Sequence, residues 1–293
     1  MTKYIVYMES TPAEMEEMIQ QNPIAYIPVG SLEWHSKHNV LGVDSIISSE
    51  ICKRCIEITG GVLFPSVNWG AYGCMKFPYT FHFSKKSQVK MTRQILKQTY
   101  QWGLKILVFL GGHLLKAQVK KIKKAAKKYD NFFPLGIGEE NLVPDLGYLG
   151  DHAAKWETSE MMAINPSWVH LDRLPDNLNY AERSITLGIM GLDPKIHASK
   201  ELGEKVLDES VKRLSKAVIQ VRETNSFEPF QRIYSNWDEI MKEKFSVFRH
   251  GKFNYKKIFE NQGIESAKEG LELLKWQLFH KKKYNPDYKY PSK

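Results

Sequence analysis

Short apolar runs alternate along this chain with longer segments in which apolar residues recur at helical spacing. The runs predict four buried strands, over residues 24–29, 61–67, 105–110 and 132–137. The longer segments predict helices over residues 43–58, 85–102 and 199–222, and a lysine-rich helix that ends near residue 129. Strands separated by helix-length segments favour parallel βαβ units, so we predict an α/β sandwich with a mostly parallel sheet.

The composition of the chain changes after Pro229, where Lys, Tyr, Phe and Trp become frequent. Helical periodicity returns near residues 265–278, which predicts a C-terminal helical extension rather than a second catalytic domain. We therefore divide the chain into a main domain, residues 1–229, and an extension, residues 230–293.

The composition is typical of a globular protein, because 42% of the 293 residues are hydrophobic and 26% are charged. Much of the formal charge of +9 is concentrated in seven lysines between residues 116 and 128 and in the lysine-rich tail. Such runs bind polyanions in some proteins, but a solvated helix face and a frayed end explain them more often. No nucleic-acid motif accompanies them, so we expect no nucleic-acid partner.

Cysteines and apolar runs narrow the class of protein further. Cys52 and Cys55 have the spacing of a redox or zinc motif, but they lie in an apolar helical stretch. We interpret them as semi-buried thiols that act as small hydrophobes. There is neither a run of about 18 apolar residues nor a signal-peptide pattern, so we expect no membrane partner and a cytoplasmic location.

Candidate ligands follow two of the predicted strands directly. Glu33 and His35 come just after residues 24–29, and their spacing of two places both side chains on one side of an extended segment. Asp44 follows a turn that contains Gly42 and can fold back on the pair. His113 follows residues 105–110, after two glycines. Ligand sites gather at this edge of an open sheet, and carboxylate with imidazole suits Zn²⁺, Mn²⁺ or Fe²⁺.

A third cluster, with His152 and Glu157, supplies further acid and base groups before an apolar stretch. The clusters carry a family resemblance. Residues 28–44 resemble the creatininase (creatinine amidohydrolase) pattern PxGSxEqHGxHLPLGTD. Residues 111–113 resemble that family's Asn-Gly-His, residues 152–159 its HAGxxETS, and residues 191–203 its GdPxxAtxxxG. Four motifs in the family's order identify the chain as similar to the creatininase family over residues 20–222.

The resemblance implies a three-layer α/β/α fold and assembly as a homo-oligomer, often a hexamer. It also implies a centre of one or two divalent metal ions, Zn, Mn or Fe. The family's ligand positions are matched by Glu33, His35, Asp44 and His113. Within that set Asp44 would bridge two ions, while His152 and Glu157 match catalytic groups near the substrate. Glu157 is alternatively a ligand.

Departures from the family pattern alter the expected pocket. Leu115 stands where creatininase has a metal-binding Glu, so either Glu157 or water completes a second site, or a single ion binds. Ser36 and Gly111 replace the family's Gly and Asn, and residues 77–80 read Phe-Pro-Tyr-Thr in place of Phe-Pro-Gly-Thr. We therefore do not expect creatinine itself to be the substrate.

The leading hypothesis is an amidohydrolase that splits the carbon–nitrogen bond of an amide, cyclic amide or formamide with a metal-activated water. His152 or Glu157 would move a proton to the leaving nitrogen. Trp34, Trp69 and Trp156 would wall a small-molecule amide substrate, although packing in the core or at an interface explains them equally well. The alternatives are a formamide hydrolase or peptidase of the same family, and a non-catalytic relative that binds a metal or ligand.

Overall fold

The computed structural model describes residues 3–69, 77–113 and 116–244. The strands are β1 (Tyr4–Val6), β2 (Ile24–Val29), β3 (Gly61–Leu63), β4 (Ile106–Gly111) and β5 (Phe133–Gly138). The helices are α1 (Pro12–Gln21), α2 (Val43–Thr59), α3 (Lys85–Gln101), α4 (Lys116–Ala126), α5 (Lys155–Ile164), α6 (Tyr180–Glu182), α7 (Pro194–His197), α8 (Lys200–Thr224) and α9 (Glu228–Lys244). No helix within these residues is both long enough and apolar enough to cross a lipid bilayer.

The five strands form one parallel sheet in the order β1-β3-β2-β4-β5. One face is covered by α1, α3 and α4, whose buried residues include Met18, Leu96 and Ile122. The other face is covered by α2, α5, α8 and α9, whose buried residues include Ile51 and Leu214. This arrangement confirms the predicted three-layer α/β/α sandwich.

The burial of the central strands explains why their apolar runs are so clear in the sequence. Every residue of β2 and β4 is buried, because helices cover both faces of the sheet, and such strands are continuous apolar runs. The two strands pair along their whole length, from Ile24 beside Ile106 to Val29 beside Gly111. The chain leaves β2 for α2 on one face and leaves β4 for α4 on the other. A crevice at such a switch point is where ligands bind in this class of fold.

The predicted helices over residues 43–58, 85–102 and 199–222 correspond to α2, α3 and α8, with ends that shift by two residues at most. The strand over residues 61–67 was predicted too long. It ends at Leu63, because Pro65 has no N–H to donate to a neighbouring strand. The sequence pattern missed β1 and also α1, which begins at a capping box made by Thr11 and Glu14.

Two details of the second helical layer bear on the predictions. Cys52 and Cys55 are fully buried on α2, rather than semi-buried, and burial raises the pKa of Cys55 to about 12. The predicted boundary between residues 229 and 230 lies inside α9, whose Phe230 and Tyr234 pack into the core. Residues 245–293 lie outside the described residues, so the division into two domains stays a prediction.

The hydroxyl of Tyr234 also contacts the last strand of the sheet. It accepts a hydrogen bond from the Gly136 N–H and donates one to the Gly136 carbonyl, each at 3.1 Å. These bonds fix the first half of α9 against β5. The described part of α9 is therefore attached to the sheet by polar contacts as well as by apolar packing.

Candidate metal centre

The carboxyl ends of β2 and β4 bring the first candidate side chains together. Two glycines make this possible, because the first turn of α2 lies directly on the strand ends. A Cβ added to Gly30 would lie 2.3 Å from the Ser45 hydroxyl oxygen, and one added to Gly112 would lie 2.5 Å from Asp44 backbone atoms. The missing side chains therefore admit α2, and α2 carries Asp44 into the crevice.

Glu33, Asp44 and His113 form the first group of potential ligands, with one ligand atom from each within 4.8 Å of the others. The Nδ1 atom of His113 lies 3.0 Å from Glu33 Oε2 and 3.5 Å from Asp44 Oδ2. Glu33 and Asp44 are each 2% exposed, so water does little to stabilise their charges. Two buried carboxylates this close need a positive charge between them.

His35, His152 and Glu157 form the second group, within the same distance of one another. The Nε2 atom of His35 lies 3.0 Å from Asp44 Oδ1 and 3.4 Å from Glu157 Oε2. Asp44 thus turns one carboxylate oxygen to each group. The structure brings together all six residues that the sequence suggested as ligands or catalytic groups.

Hydrogen bonds to the backbone set which ring nitrogens face the centre. His35 Nδ1 lies 3.0 Å from the Glu33 carbonyl, and His152 Nε2 lies 2.9 Å from the Trp34 carbonyl. A carbonyl only accepts, so both of these nitrogens donate. In the neutral rings the other nitrogens, His35 Nε2 and His152 Nδ1, then carry the lone pairs. Metal-binding histidines are oriented in this way.

Asp151 holds the segment that delivers the second group. Its carboxylate accepts hydrogen bonds from the N–H groups of Trp156, at 2.7 Å, and Glu157, at 3.3 Å, at the start of α5. Negative charge at a helix N-terminus is favourable. The Glu157 carboxylate turns back and accepts a hydrogen bond from the Ala153 N–H at 2.6 Å. His152 and Glu157 are thereby fixed on either side of this turn.

The surroundings of the centre shift the pKa values of its ionisable groups strongly. Burial opposes a charge on His35, but the carboxylates of Asp44 and Glu157 outweigh it and raise the pKa of His35 to about 10. Burial likewise opposes the charge of Asp44, yet His35 and His113 hold the pKa of that carboxyl below its usual range. For His152, burial and then the charge of His35 lower the pKa to about 4. His152 is therefore a neutral base at pH 7.

The donor set fits a divalent metal ion. The buried atoms Glu33 Oε2 and His35 Nε2 make no well-directed hydrogen bond within the described part of the chain, although each faces a potential ligand at 3.0 Å. Carboxylate oxygens with imidazole nitrogens are the ligands of Zn²⁺, Mn²⁺ and Fe²⁺. A cation would satisfy both atoms and neutralise the buried carboxylates.

The three predicted substrate-binding tryptophans lie in different surroundings. Trp34 is 8% exposed and donates its indole N–H to the Leu187 carbonyl at 3.1 Å. Trp156 is equally buried and stacks on Tyr148, with ring centroids 5.1 Å apart. Trp69 is 46% exposed and packs edge-on against Phe81. Of the three, Trp69 has the most ring surface left for a ligand.

Other residues near the centre were missed by the sequence analysis. Glu139 and Glu140 follow β5 directly, in the same position relative to their strand as the predicted ligands. Burial raises the pKa of Glu140 to about 7, while a backbone hydrogen bond and the nearby His113 oppose that rise. The strand-end rule that selected His113 would have found both glutamates. Leu115, which replaces a family ligand, lies outside the described residues.

Comparisons with known proteins show which family the chain is related to. A family model described as creatinine amidohydrolase (creatininase) matches residues 8–218. A creatinine amidohydrolase of Pseudomonas putida is 25% identical over 254 residues, which cover 74% of this chain and 97% of that protein. A mycofactocin precursor peptide peptidase of Mycolicibacterium smegmatis is 27% identical over 176 residues, which cover 56% of this chain and 66% of that protein.

Solved structures share the fold. A crystal structure of creatinine amidohydrolase superposes with a TM-score of 0.65 at 22% identity, and the match covers 75% of this chain and 98% of that chain. Two creatininase structures, described as an Mn form and as the Zn–Zn type of a mutant, have TM-scores of 0.60 at 23% and 24% identity. Each of these two matches covers 76% of this chain and 99% of the other.

Proposed function

This chain belongs to the creatininase family of carbon–nitrogen hydrolases, and we propose that it hydrolyses an amide-type bond at a centre of two divalent metal ions. The observation that carries the proposal is the position of Asp44 between two groups of potential ligands. A single carboxylate that serves two groups is the arrangement a two-metal hydrolase needs.

The first ion would be held by Glu33, Asp44 and His113, and the second by His35, Asp44 and Glu157. Glu157 then replaces the family ligand that Leu115 cannot supply. Its Oε2 atom lies 3.4 Å from His35 Nε2, and the Ala153 N–H holds the carboxylate in that direction. The relatives described with Mn and Zn make these metals the first to test for this chain.

When bound, the ions would lower the pKa of the attacking water and polarise the carbonyl of the substrate. His152 would move the proton. Its lowered pKa keeps the ring neutral at pH 7, and its Nδ1 lone pair is left free for the centre once Nε2 donates to Trp34. The ring takes a proton from the water as the carbon–oxygen bond forms, and returns it to the nitrogen as the carbon–nitrogen bond breaks.

The substrate class we propose is a small amide, a cyclic amide or formamide, with a short peptide as the second candidate. The ring of Phe77 stacks on His152, with centroids 5.7 Å apart, which makes one side of the proton-transfer group apolar. Trp69 would cover a flat substrate from the exposed side. A peptide end is favoured specifically by the similarity to the mycofactocin precursor peptide peptidase.

The test combines elemental analysis of the purified full chain with a substrate panel. Creatinine, other cyclic amides, formamides and short peptides are incubated with the metal-loaded protein, and the released amine is measured. We expect about two ions per chain and turnover of at least one class. His152→Gln should lower the turnover rate about 10²–10⁴-fold. His197→Gln, at an exposed histidine on α7, serves as the matched control and should change little.

Two results would contradict the proposal. Turnover that persists after the metal has been removed would exclude the metal centre as the catalyst. A chain that binds ions but splits no member of the panel would favour a binding protein that has lost catalysis. Hydrolysis restricted to peptides would leave the centre in place and move the substrate class to the second candidate.

A further inference from the structure

One stretch of the chain has an unusual charge balance. Residues 58–129 include fourteen lysines and arginines and no aspartate or glutamate. The remaining 28 of the 42 basic residues are outnumbered by the 33 acidic ones, all of which lie elsewhere. The positive charge of the protein is therefore a local property of this stretch, which contains α3 and α4.

The two helices form the walls of a groove with a cavity volume of about 780 Å³. The groove is lined by seven cationic side chains: Lys86, Lys90, Arg93, Lys97, Lys121, Lys124 and Lys128. The four on α3 are spaced by four, three and four residues, so they share one face of that helix. Both walls are thus basic along the length of the groove.

The basic residues of this groove differ in their ion pairing from those on an ordinary solvated helix face. Several basic residues on the long outer helices are paired with acids one turn away, as in Lys200 with Glu204 on α8 and Arg232 with Glu228 on α9. None of the seven groove cations forms an ion pair within the described residues. Like charges that close repel one another, and a bound polyanion would remove that repulsion.

Contrary to the expectation from the sequence motifs alone, we propose that this groove binds single-stranded nucleic acid through its phosphate backbone. Two packed helices lie about 8–10 Å apart, so the groove between them accepts one extended chain. From Lys86 to Lys97 the helix rises roughly 16 Å and carries four cations on one wall. A nucleic-acid strand carries a charge at every nucleotide, whatever its sequence, which matches cations at every turn of both walls.

The residue types indicate binding without sequence preference. Six of the seven cations are lysines, which contact phosphate as point charges and lack the planar fork with which arginine reads bases. Tyr129 is the single aromatic residue that lines the described part of the groove, so stacking on bases contributes little. Affinity should therefore depend steeply on salt and weakly on base composition.

The test measures binding of labelled 12-nucleotide oligo(dT) and oligo(U) to the full chain by fluorescence anisotropy at several salt concentrations. If about five phosphates are neutralised, the logarithm of the binding constant should fall with log salt at a slope of roughly −3.5. The triple variant Lys90→Gln, Arg93→Gln, Lys124→Gln should bind more than tenfold more weakly and flatten that slope by about 2.

Matched variants separate the groove from general charge. Lys200→Gln, Lys212→Gln, Arg232→Gln removes three positive charges as well, from residues that are paired with acids on α8 and α9. We expect it to bind like the unmodified chain. A third variant replaces Lys281, Lys282 and Lys283 in the tail by Gln, with the same expectation.

The proposal fails if neither oligonucleotide binds at low salt, or if the control or tail variant loses as much affinity as the groove variant. It also fails if a hairpin duplex or poly-glutamate binds more tightly than the single strands. The proposal is independent of the hydrolase function, because the groove lies on the outer face of α3 and α4, and amide turnover should be equal in all the variants.

Discussion

Replacement of Asp44 by asparagine tests how the centre is organised, because the change keeps the shape of the side chain and removes its charge. One oxygen of Asp44 lies 3.0 Å from His35 Nε2, and the other lies 3.5 Å from His113 Nδ1. The Ser31 N–H, which donates to Oδ2 at 3.1 Å, would still find an amide oxygen as its acceptor. The fold should therefore survive while both groups lose a ligand.

The expected pattern is a count of metal ions per chain. The unmodified protein should hold two ions, Asp44→Asn none, and Glu33→Gln and Glu157→Gln one each, because these two glutamates belong to different groups. Glu50 lies on the outer part of the same helix and pairs with Arg54, so Glu50→Gln should keep both ions. Elemental analysis after gel filtration gives these counts directly.

Thermal unfolding measures independently how much the bound ions stabilise the folded chain. An ion present at a hundred times its dissociation constant stabilises the folded chain by about 2.7 kcal/mol. Two ions would contribute roughly 5 kcal/mol, which raises the melting temperature by about 10–20 °C for a domain of this size. Metal should therefore not change the melting temperature of Asp44→Asn. It should raise the melting temperatures of Glu33→Gln and Glu157→Gln by about half as much as that of the unmodified chain.

Some outcomes would refute this reasoning. If Asp44→Asn keeps two ions, the carboxylate does not link the two groups. If the unmodified chain and Glu157→Gln each hold one ion and Glu33→Gln holds none, a single metal site without Glu157 explains the data. Circular dichroism of the metal-free variants distinguishes a lost ligand from a lost fold.

Three further predictions concern the protonation of His35, the contact between α5 and α8, and the exposed ring of Trp69. Metal uptake should release a proton from His35, because its pKa near 10 keeps it charged in the metal-free protein. The affinity for metal, measured by calorimetry in buffers of several pH values, should therefore rise about tenfold per pH unit near neutrality. A pH-independent affinity would contradict this. Gly203→Ala places a Cβ 1.9 Å from the Ser159 carbonyl oxygen and should cost about 1–3 kcal/mol in urea unfolding, whereas Gly42→Ala, with no neighbour closer than 3.4 Å, should cost little. Trp69→Ala should raise KM roughly tenfold without lowering the melting temperature, because its exposed ring is not needed for the core; an unchanged KM would remove Trp69 from the substrate site.

Much of the sheet and part of the centre can be predicted from the sequence for one physical reason. Strands buried on both faces leave continuous apolar runs, and the residues that follow such runs lie at one edge of a parallel sheet. Glu33, His35 and His113 come directly after β2 and β4, so their convergence follows from these rules. Glu139 and Glu140, which the sequence analysis missed, follow β5 directly, so the same rule places them at this edge as well.

Other features depend on packing that a single sequence does not reveal. His152 and Glu157 follow a segment without strands, and their approach to the centre depends on how α5 packs against α8. Gly203 allows that contact, since its missing side chain leaves room for the Ser159 carbonyl. The basic groove is a similar case. The sequence shows the lysines of α4, but not that the cations of α3 line the opposite wall.

The contact between Tyr234 and Gly136 has a consequence for whether a strand of another chain can pair with the edge of the sheet. β5 is the last strand of the sheet, and the free N–H and C=O groups of a last strand invite another chain to add on. A phenol that engages both groups of one residue occupies the place such a chain would take. The start of α9 thus shields this edge from strand addition, and shortening the chain before this helix would uncover an edge prone to aggregation.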